Sequence, residues 1–219
     1  MRDAQSCEAG VMDAGYQLLR NWLPAGALEP LRARVRELPL TPVRAKSGMN
    51  APYGVLDGRR VRELAPEIAA LAGGPMRAAL EAALGLRVQF MADATRDLRV
   101  QRYAKHEGLF WHIDGGTFGA VLTLDNDCGG RVEILNPRVS RVLGPATYVL
   151  FPFQRLFSLA GPEVLEPAPG DLMLIAGKRV VHRAYSPRDG ARIVIAASYD
   201  PVGMRRPVVR DAIARWLNY

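Results

Sequence analysis

Residues 97–114, DLRVQRYAKHEGLFWHID, decide how this chain is read. The first seven follow a period of two, the period of a β-strand, and put Gln101 and Tyr103 on one face. The last three, His112-Ile113-Asp114, hold an imidazole and a carboxylate two residues apart. On an extended strand both side chains project from the same face, the geometry that two ligands need to approach one metal ion.

Further strands are expected downstream of this stretch, at 119–125 (GAVLTLD), 131–135 (RVEIL), 146–151 (ATYVLF), 171–176 (DLMLIA) and 192–199 (RIVIAASY). Turn formers such as Asp127-Cys128-Gly129-Gly130 and Pro169-Gly170 separate them. Many short strands with frequent turns point to a sandwich or jelly roll rather than a parallel sheet. Upstream the pattern is helical. Residues 14–38 carry Leu18, Leu19, Trp22, Leu31, Val35 and Leu38 at helical spacing, with interruptions expected at Pro24 and Pro30. Residues 61–85 read as two helices broken at Gly73-Gly74-Pro75 and stopped at Gly85. Between them, residues 41–58 (TPVRAKSGMNAPYGVLDG) read as a loop long enough to form a lid. The tail closes with an amphipathic helix carrying Val209, Ile213, Trp216 and Leu217, expected to pack on the sheet, with a homodimer contact as the alternative. The expected class is an all-β core with α-helical support (α+β), one domain over 1–219. It divides into support and flap (1–95), core (96–200) and C-terminal helix (201–219).

Composition narrows the setting. With 49% hydrophobic and 23% charged residues among 219, the chain suits one ordered globular core. No run of roughly 18 apolar residues exists to span a membrane. The acidic N-terminal stretch MRDAQSCEAGVMDAG does not read as a signal peptide. Cys7 and Cys128 lack metal-finger spacing and are expected as free thiols in a reducing cytoplasm. The net charge of +7 and pI near 9.8 favour anionic partners: carboxylate or phosphate substrates, an acidic carrier, or nucleic acid. The basic residues are scattered rather than grouped, so charge alone does not establish nucleic-acid binding.

Three histidines occur, His106, His112 and His182. His182 follows an apolar strand 68 residues after Asp114, and a jelly roll brings such distant strands together. Two histidines and one carboxylate bound facially leave three positions open on an octahedral ion, the donor set of non-haem Fe(II) oxygenases. Ten residues on, Arg192 opens a strand with Val194 and Ala196 on its face. Its apolar neighbours imply burial, and a buried guanidinium needs an anion; its planar fork suits a carboxylate. Tyr103 and Gln101 are reasonable further donors to the same anion.

The order Tyr103…His112-x-Asp114…His182…Arg192 resembles the Fe(II)/2-oxoglutarate-dependent dioxygenases over roughly residues 97–200. The stretch RYAKHEGLFWHID (102–114) is similar to the prolyl-hydroxylase-like branch, and PGDLMLIAG (169–177) fits the family's approach to its distal histidine. The resemblance implies a double-stranded β-helix, iron on His112, Asp114 and His182, and 2-oxoglutarate on Arg192 with Tyr103 and Gln101. It further implies consumption of O₂, release of succinate and CO₂, and hydroxylation of a small molecule such as an amino acid or specialised metabolite, with desaturation or cyclisation as variants. An anionic or zwitterionic substrate matches the charge. The carboxylate of Asp114 argues against halogenation. Two departures leave the subfamily and the substrate open. Gly129-Gly130 is followed by Arg131 where that branch often has Glu, and Arg192-Ile193-Val194 lacks another branch's Arg-x-Ser.

Other positions have blander expectations. Trp111, Phe110 and Phe118 are expected in the core, Arg44, Asn50 and Tyr53 in a solvated loop, and His106 at a surface turn, while Arg155 is ambiguous. Gly115-Gly116 is expected to let the backbone come close beside the metal. Two rival readings remain. One is a nucleic-acid demethylase, disfavoured because Ser198 stands where such enzymes carry a further arginine. The other is a jelly roll that binds metal or ligand without turnover.

Overall fold

The computed structural model describes residues 11–43, 53–144, 147 and 154–204. Among these the strands are β1 (Tyr16–Leu19), β2 (Thr41–Val43), β3 (Tyr53–Leu56), β4 (Val88–Phe90), β5 (Leu98–Tyr103) and β6 (Gly108–His112). They continue with β7 (Phe118–Asn126), β8 (Arg131–Ile134), β9 (Glu163–Leu165), β10 (Leu172–Ile175), β11 (His182–Tyr185) and β12 (Arg192–Pro201). The helices are α1 (Val11–Ala14), α2 (Ala25–Arg36), α3 (Gly58–Leu64), α4 (Pro66–Leu71), α5 (Arg77–Leu84), α6 (Pro137–Leu143) and α7 (Gln154–Ser158). This is an α+β architecture of two antiparallel sheets with supporting helices. The larger sheet runs β1-β10-β7-β12-β5-β3-β2, with β4 also paired to β12; the smaller runs β6-β11-β8-β9.

Alternation along the central strands explains the layering. Leu98 and Val100 of β5, Ala120, Leu122 and Leu124 of β7, and Ile193, Ile195, Ala197 and Tyr199 of β12 face the helices. There they meet Leu28 and Val35 of α2, Val61 of α3, Ile68 of α4 and Leu80 of α5 in the main core. The alternate positions of β5, β7, β10 and β12 turn toward the smaller sheet, where Val121 of β7 and Met173 and Ile175 of β10 meet Val132, Ile134 and Ala184. A period-two pattern therefore marks two covered faces of the larger sheet, an apolar one on the helices and a mixed one on the site.

Five of the six expected strands lie where the sequence places them; the sixth, 146–151, falls outside the described residues but for Thr147, as does the tail beyond Met204. Four readings are corrected. Residues 16–19, expected in a helix, form β1, because Tyr16 and Leu18 pack between the sheets while Leu19 packs on the helical side. Pro30 does not interrupt α2; it lies inside it on an exposed turn. Gly73-Gly74-Pro75 does not break the helix either. Pro75 has no N–H to give, and the chain widens into a π-turn over Ala72–Met76 that runs into α5, which ends at Gly85 with φ 65°. The 41–58 loop begins and ends as paired strands, Val43 opposite Tyr53, while Arg44 and Asn50 fall outside the described residues.

The π-turn is tied to the sheet. The buried Tyr199 hydroxyl donates to the Ala72 carbonyl at 2.7 Å. Tyr199→Phe deletes that donor and leaves the acceptor buried, so it is expected to lower stability by about 1 kcal/mol, read from the denaturant midpoint.

Candidate functional site

His112 and His182 are direct cross-strand partners: β6 pairs with β11 in the register His182↔His112, with the rings 4.4 Å apart at their centres. Each ring is pinned through Nδ1, which donates to the Phe110 carbonyl (2.6 Å) in His112 and to the Val180 carbonyl (3.2 Å) in His182. In the neutral imidazoles that tautomer leaves each Nε2 as a lone pair, and both Nε2 atoms lie near Asp114, 3.5 and 3.6 Å from Oδ1. The ligand atoms of the three residues lie within 4.8 Å of one another, the one group of three or more potential metal-binding side chains among the described residues. His112 and Asp114 do share a side, but not as strand neighbours. β6 ends at His112, and Asp114 sits in the following loop, held by its N–H to the Gly177 carbonyl at 2.8 Å. His182 likewise does not trail β10; it opens its own strand.

The electrostatics suit a cation. Burial acts against the Asp114 carboxylate, yet the facing His182 and His112 imidazoles outweigh it and hold the carboxyl far below the usual range. For His182 burial pulls downward and Asp114 pulls upward more strongly, so its pKa is raised above 6.5. Below that raised pKa the metal-free site holds a proton on His182 Nε2 that an incoming cation must displace, whereas Asp114 is ionised. Metal affinity is expected to rise with pH by about tenfold per unit up to the raised His182 pKa and then level off. Competition against a chromophoric chelator across pH 5.5–8 tests this about the ordinary imidazole value; a flat profile would contradict the His182 assignment.

Gly177 makes the arrangement possible. A Cβ there would overlap the Asp114 carboxylate and come 2.5 Å from its Cβ. Gly177→Ala is expected to push Asp114 aside and weaken metal binding about ten- to a hundredfold with the fold intact. The glycines expected for this role do another job: a Cβ on Gly115 would press on Arg96 Nη2 at 2.8 Å, and one on Gly116 on Ser198 Cβ at 2.8 Å.

The triad opens into a cavity between the sheets that also takes in Arg192, Tyr103 and Gln101. Arg192 sits opposite Tyr103 on β5 and Asn126 on β7, only 2% exposed. Its guanidinium lies 5.9 Å from the Tyr103 ring centre, Nε has no hydrogen-bond partner, and no carboxylate pairs with it among the described residues. Burial lowers its pKa and raises that of the Tyr103 hydroxyl, which stays a proton donor. Gly130 makes room, since a Cβ there would overlap the Arg192 side chain. Tyr53 is not a solvated loop residue: it is buried, lies with its ring tilted against that of Tyr103 at 5.5 Å between centres, and lines the cavity. Trp111 lines the cavity from its cluster with Leu135, Phe157 and Val181, whereas Phe118 belongs to the main core. His106 is exposed at a left-handed turn, as expected. Arg96, Arg99, Met91 and Thr147 also line the cavity and were not anticipated.

No protein-family model and no curated protein matches the chain. Solved structures do. HygX from Streptomyces hygroscopicus, determined with nickel and 2-oxoglutarate bound, superposes with a TM-score of 0.67 at 13% identity, covering 89% of this chain and 85% of that one. The non-haem α-ketoglutarate-dependent epimerase SnoN of nogalamycin biosynthesis gives 0.63 at 18%, covering 90% and 84%. A Pseudomonas putida prolyl-4-hydroxylase gives 0.57 at 16%, covering 88% and 96%. At such identities the likeness is one of fold: the chain shares the fold of these enzymes.

Proposed function

We propose that the protein is an Fe(II)- and 2-oxoglutarate-dependent oxygenase that hydroxylates a small molecule, with the two sheets forming the walls of a double-stranded β-helix. The carrying observation is the coincidence, in one cavity, of a two-histidine, one-carboxylate cluster and a buried arginine that has no counter-ion among the described residues. Likeness of fold to structures described as 2-oxoglutarate-dependent supports the same reading.

The residues fit the groups they would hold. His112 and His182 would offer Nε2 and Asp114 an oxygen to iron, leaving the remaining positions for cosubstrate and O₂. Arg192 would grip the distal carboxylate of 2-oxoglutarate, with the Tyr103 hydroxyl and the Gln101 amide beside it. Bound there, Fe(II) with 2-oxoglutarate supplies the oxidising power for O₂-dependent hydroxylation, the cosubstrate leaving as succinate and CO₂. The chain's own part is positional. Backbone carbonyls fix the two imidazoles, Asp114 brings a negative charge without proton uptake, and Arg192 sets the direction of the cosubstrate. Val121, Val132, Met173, Ile175 and Ala184 make up an apolar part of the wall between the sheets.

We read residues 1–219 as one such domain, working in a reducing cytoplasm in keeping with the free, buried thiol of Cys128. Among the described residues no helix is long and apolar enough to cross a membrane. The test is succinate formation from 2-oxoglutarate screened against small metabolites, peptides and single-stranded nucleic acid. Stimulation by a small molecule is expected. Stimulation by nucleic acid or peptide alone would overturn the substrate class, and tight iron binding without any turnover would favour a binding jelly roll.

A further inference from the structure

The described lining of the cavity holds Arg96 and Arg99 in addition to Arg192. Arg192 and Arg96 occupy different stretches of it, and Arg99 lies between them along β5. Along β12, Arg192, Val194, Ala196 and Ser198 all line the cavity, with Ala196 opposite Arg99. The Ser198 N–H donates to the Asp97 carbonyl at 2.7 Å, next in sequence to Arg96. A strand advances about 3.3 Å per residue, so Arg192 and Ser198 are about 20 Å apart along the backbone. The terminal carbons of a five-carbon dicarboxylate lie only about 5 Å apart, given C–C bonds of ~1.5 Å.

Arg96 instead adjoins the triad from the Ser198 end. Its guanidinium lies over Gly115, the residue after Asp114, where a Cβ would come within 2.8 Å of Nη2. The backbone that carries it is built to hold it. Asp93 Oδ1 accepts from Thr95 N at 3.1 Å and Thr95 Oγ1 at 2.6 Å, and the Asp93 carbonyl accepts from Arg96 N and Asp97 N, both at 2.9 Å. The Asp97 carboxylate is gripped by Arg62 at 2.5 and 3.1 Å, and Met91 N donates to the Ser198 carbonyl at 3.0 Å. Arg99 projects from β5 two residues before Gln101, on the same cavity-facing side.

We propose that Arg96 and Arg99 form a second anion subsite, which takes a carboxylate or phosphate group of the substrate and so presents a nearby carbon to the triad. The assignment of its ligand as substrate rests on the oxygenase reading. The substrate class that follows is a small carboxylic acid or phosphate ester oxidised close to its anionic group. On that arrangement cosubstrate and substrate would approach the triad from different ends of the cavity.

Benzoate and phenyl phosphate, with benzyl alcohol as the uncharged comparator, serve as probes. They are titrated calorimetrically under anaerobic conditions into the protein loaded with Fe(II) and 2-oxoglutarate. The unaltered chain is compared with Arg96→Gln, Arg99→Gln, Arg99→Lys and Arg192→Gln. At least one anion is expected to bind and the alcohol is not. The two glutamine variants at 96 and 99 are expected to weaken that anion about ten- to a hundredfold while leaving 2-oxoglutarate affinity unchanged, with partial recovery in Arg99→Lys. The tighter of the two probes tells a carboxylate from a phosphate subsite. Absence of anion binding, affinity indifferent to both substitutions, competition between anion and 2-oxoglutarate, or a loss of 2-oxoglutarate equal to the loss of anion would each overturn the proposal. Failure of the oxygenase reading shows separately, as no 2-oxoglutarate binding to the unaltered chain; the anion titration on the metal-loaded protein then decides the subsite by itself.

Discussion

Arg192→Met is expected to make the ligand-free protein more stable and, at the same time, to weaken 2-oxoglutarate binding by about 2–5 kcal/mol, some thirty- to several-thousandfold. Both effects have one cause. Among the described residues, Arg192 holds a buried charge with an unsatisfied Nε and the Tyr103 ring face, 5.9 Å away, as partial compensation. Keeping an uncompensated charge out of water costs several kcal/mol, and a well-packed apolar replacement recovers roughly 1–4 kcal/mol. Methionine is unbranched and flexible enough to fill the space beside Gly130. On the proposed reading the balance reverses when the anion arrives, because the guanidinium then gains a counter-ion. Thermal unfolding with and without 2-oxoglutarate, in the presence of metal, reads both. A destabilised variant with unchanged cosubstrate affinity would make Arg192 a structural residue.

Asp114→Ala has a larger effect on chemistry and a smaller one on architecture. Four-ligand structural zinc sites bind with about 10–16 kcal/mol, so one ligand is worth roughly 3 kcal/mol, or about two hundredfold in affinity. The variant is expected to lose metal to that extent and to lose 2-oxoglutarate turnover altogether. Asp114 lies in a loop after β6 rather than in a core strand, so circular dichroism should be unchanged. His182 supplies an independent readout. Without the carboxylate, burial is the main influence left on its imidazole, and its pKa is expected to fall, followed by proton NMR of the metal-free protein. A His182 titration indifferent to the substitution would contradict the electrostatic account of the cluster.

How far the sequence carries can be judged residue by residue. The triad was legible because its chemistry is written in residue type: an imidazole and a carboxylate two apart, and a second imidazole after an apolar strand. Arg192, Gln101 and Tyr103 were legible from period two, since their faces follow from alternation alone. What was not legible depended on distant partners. Tyr16–Leu19 is too short to declare itself, and its strand character comes from pairing with Leu172–Ile175. The GGP segment reads as a helix breaker until a π-turn and the Tyr199 hydroxyl absorb it. Gly177 carries no local signal, because its need for hydrogen at Cα arises from Asp114, 63 positions earlier in the chain. Arg99 was readable in principle, two residues before Gln101 on the same strand, whereas Arg96 springs from a turn whose direction only the folded backbone defines.

The central claim is that His112, Asp114 and His182 bind Fe(II) together with 2-oxoglutarate held by Arg192. Its most direct test is an anaerobic visible titration of the metal-free protein with Fe(II) and 2-oxoglutarate, run beside Asp114→Ala and Arg192→Met. The account predicts an iron-to-cosubstrate charge-transfer band that needs both additions, vanishes in Asp114→Ala and requires far more 2-oxoglutarate in Arg192→Met. A folded protein that binds iron yet shows no band at saturating 2-oxoglutarate would contradict it.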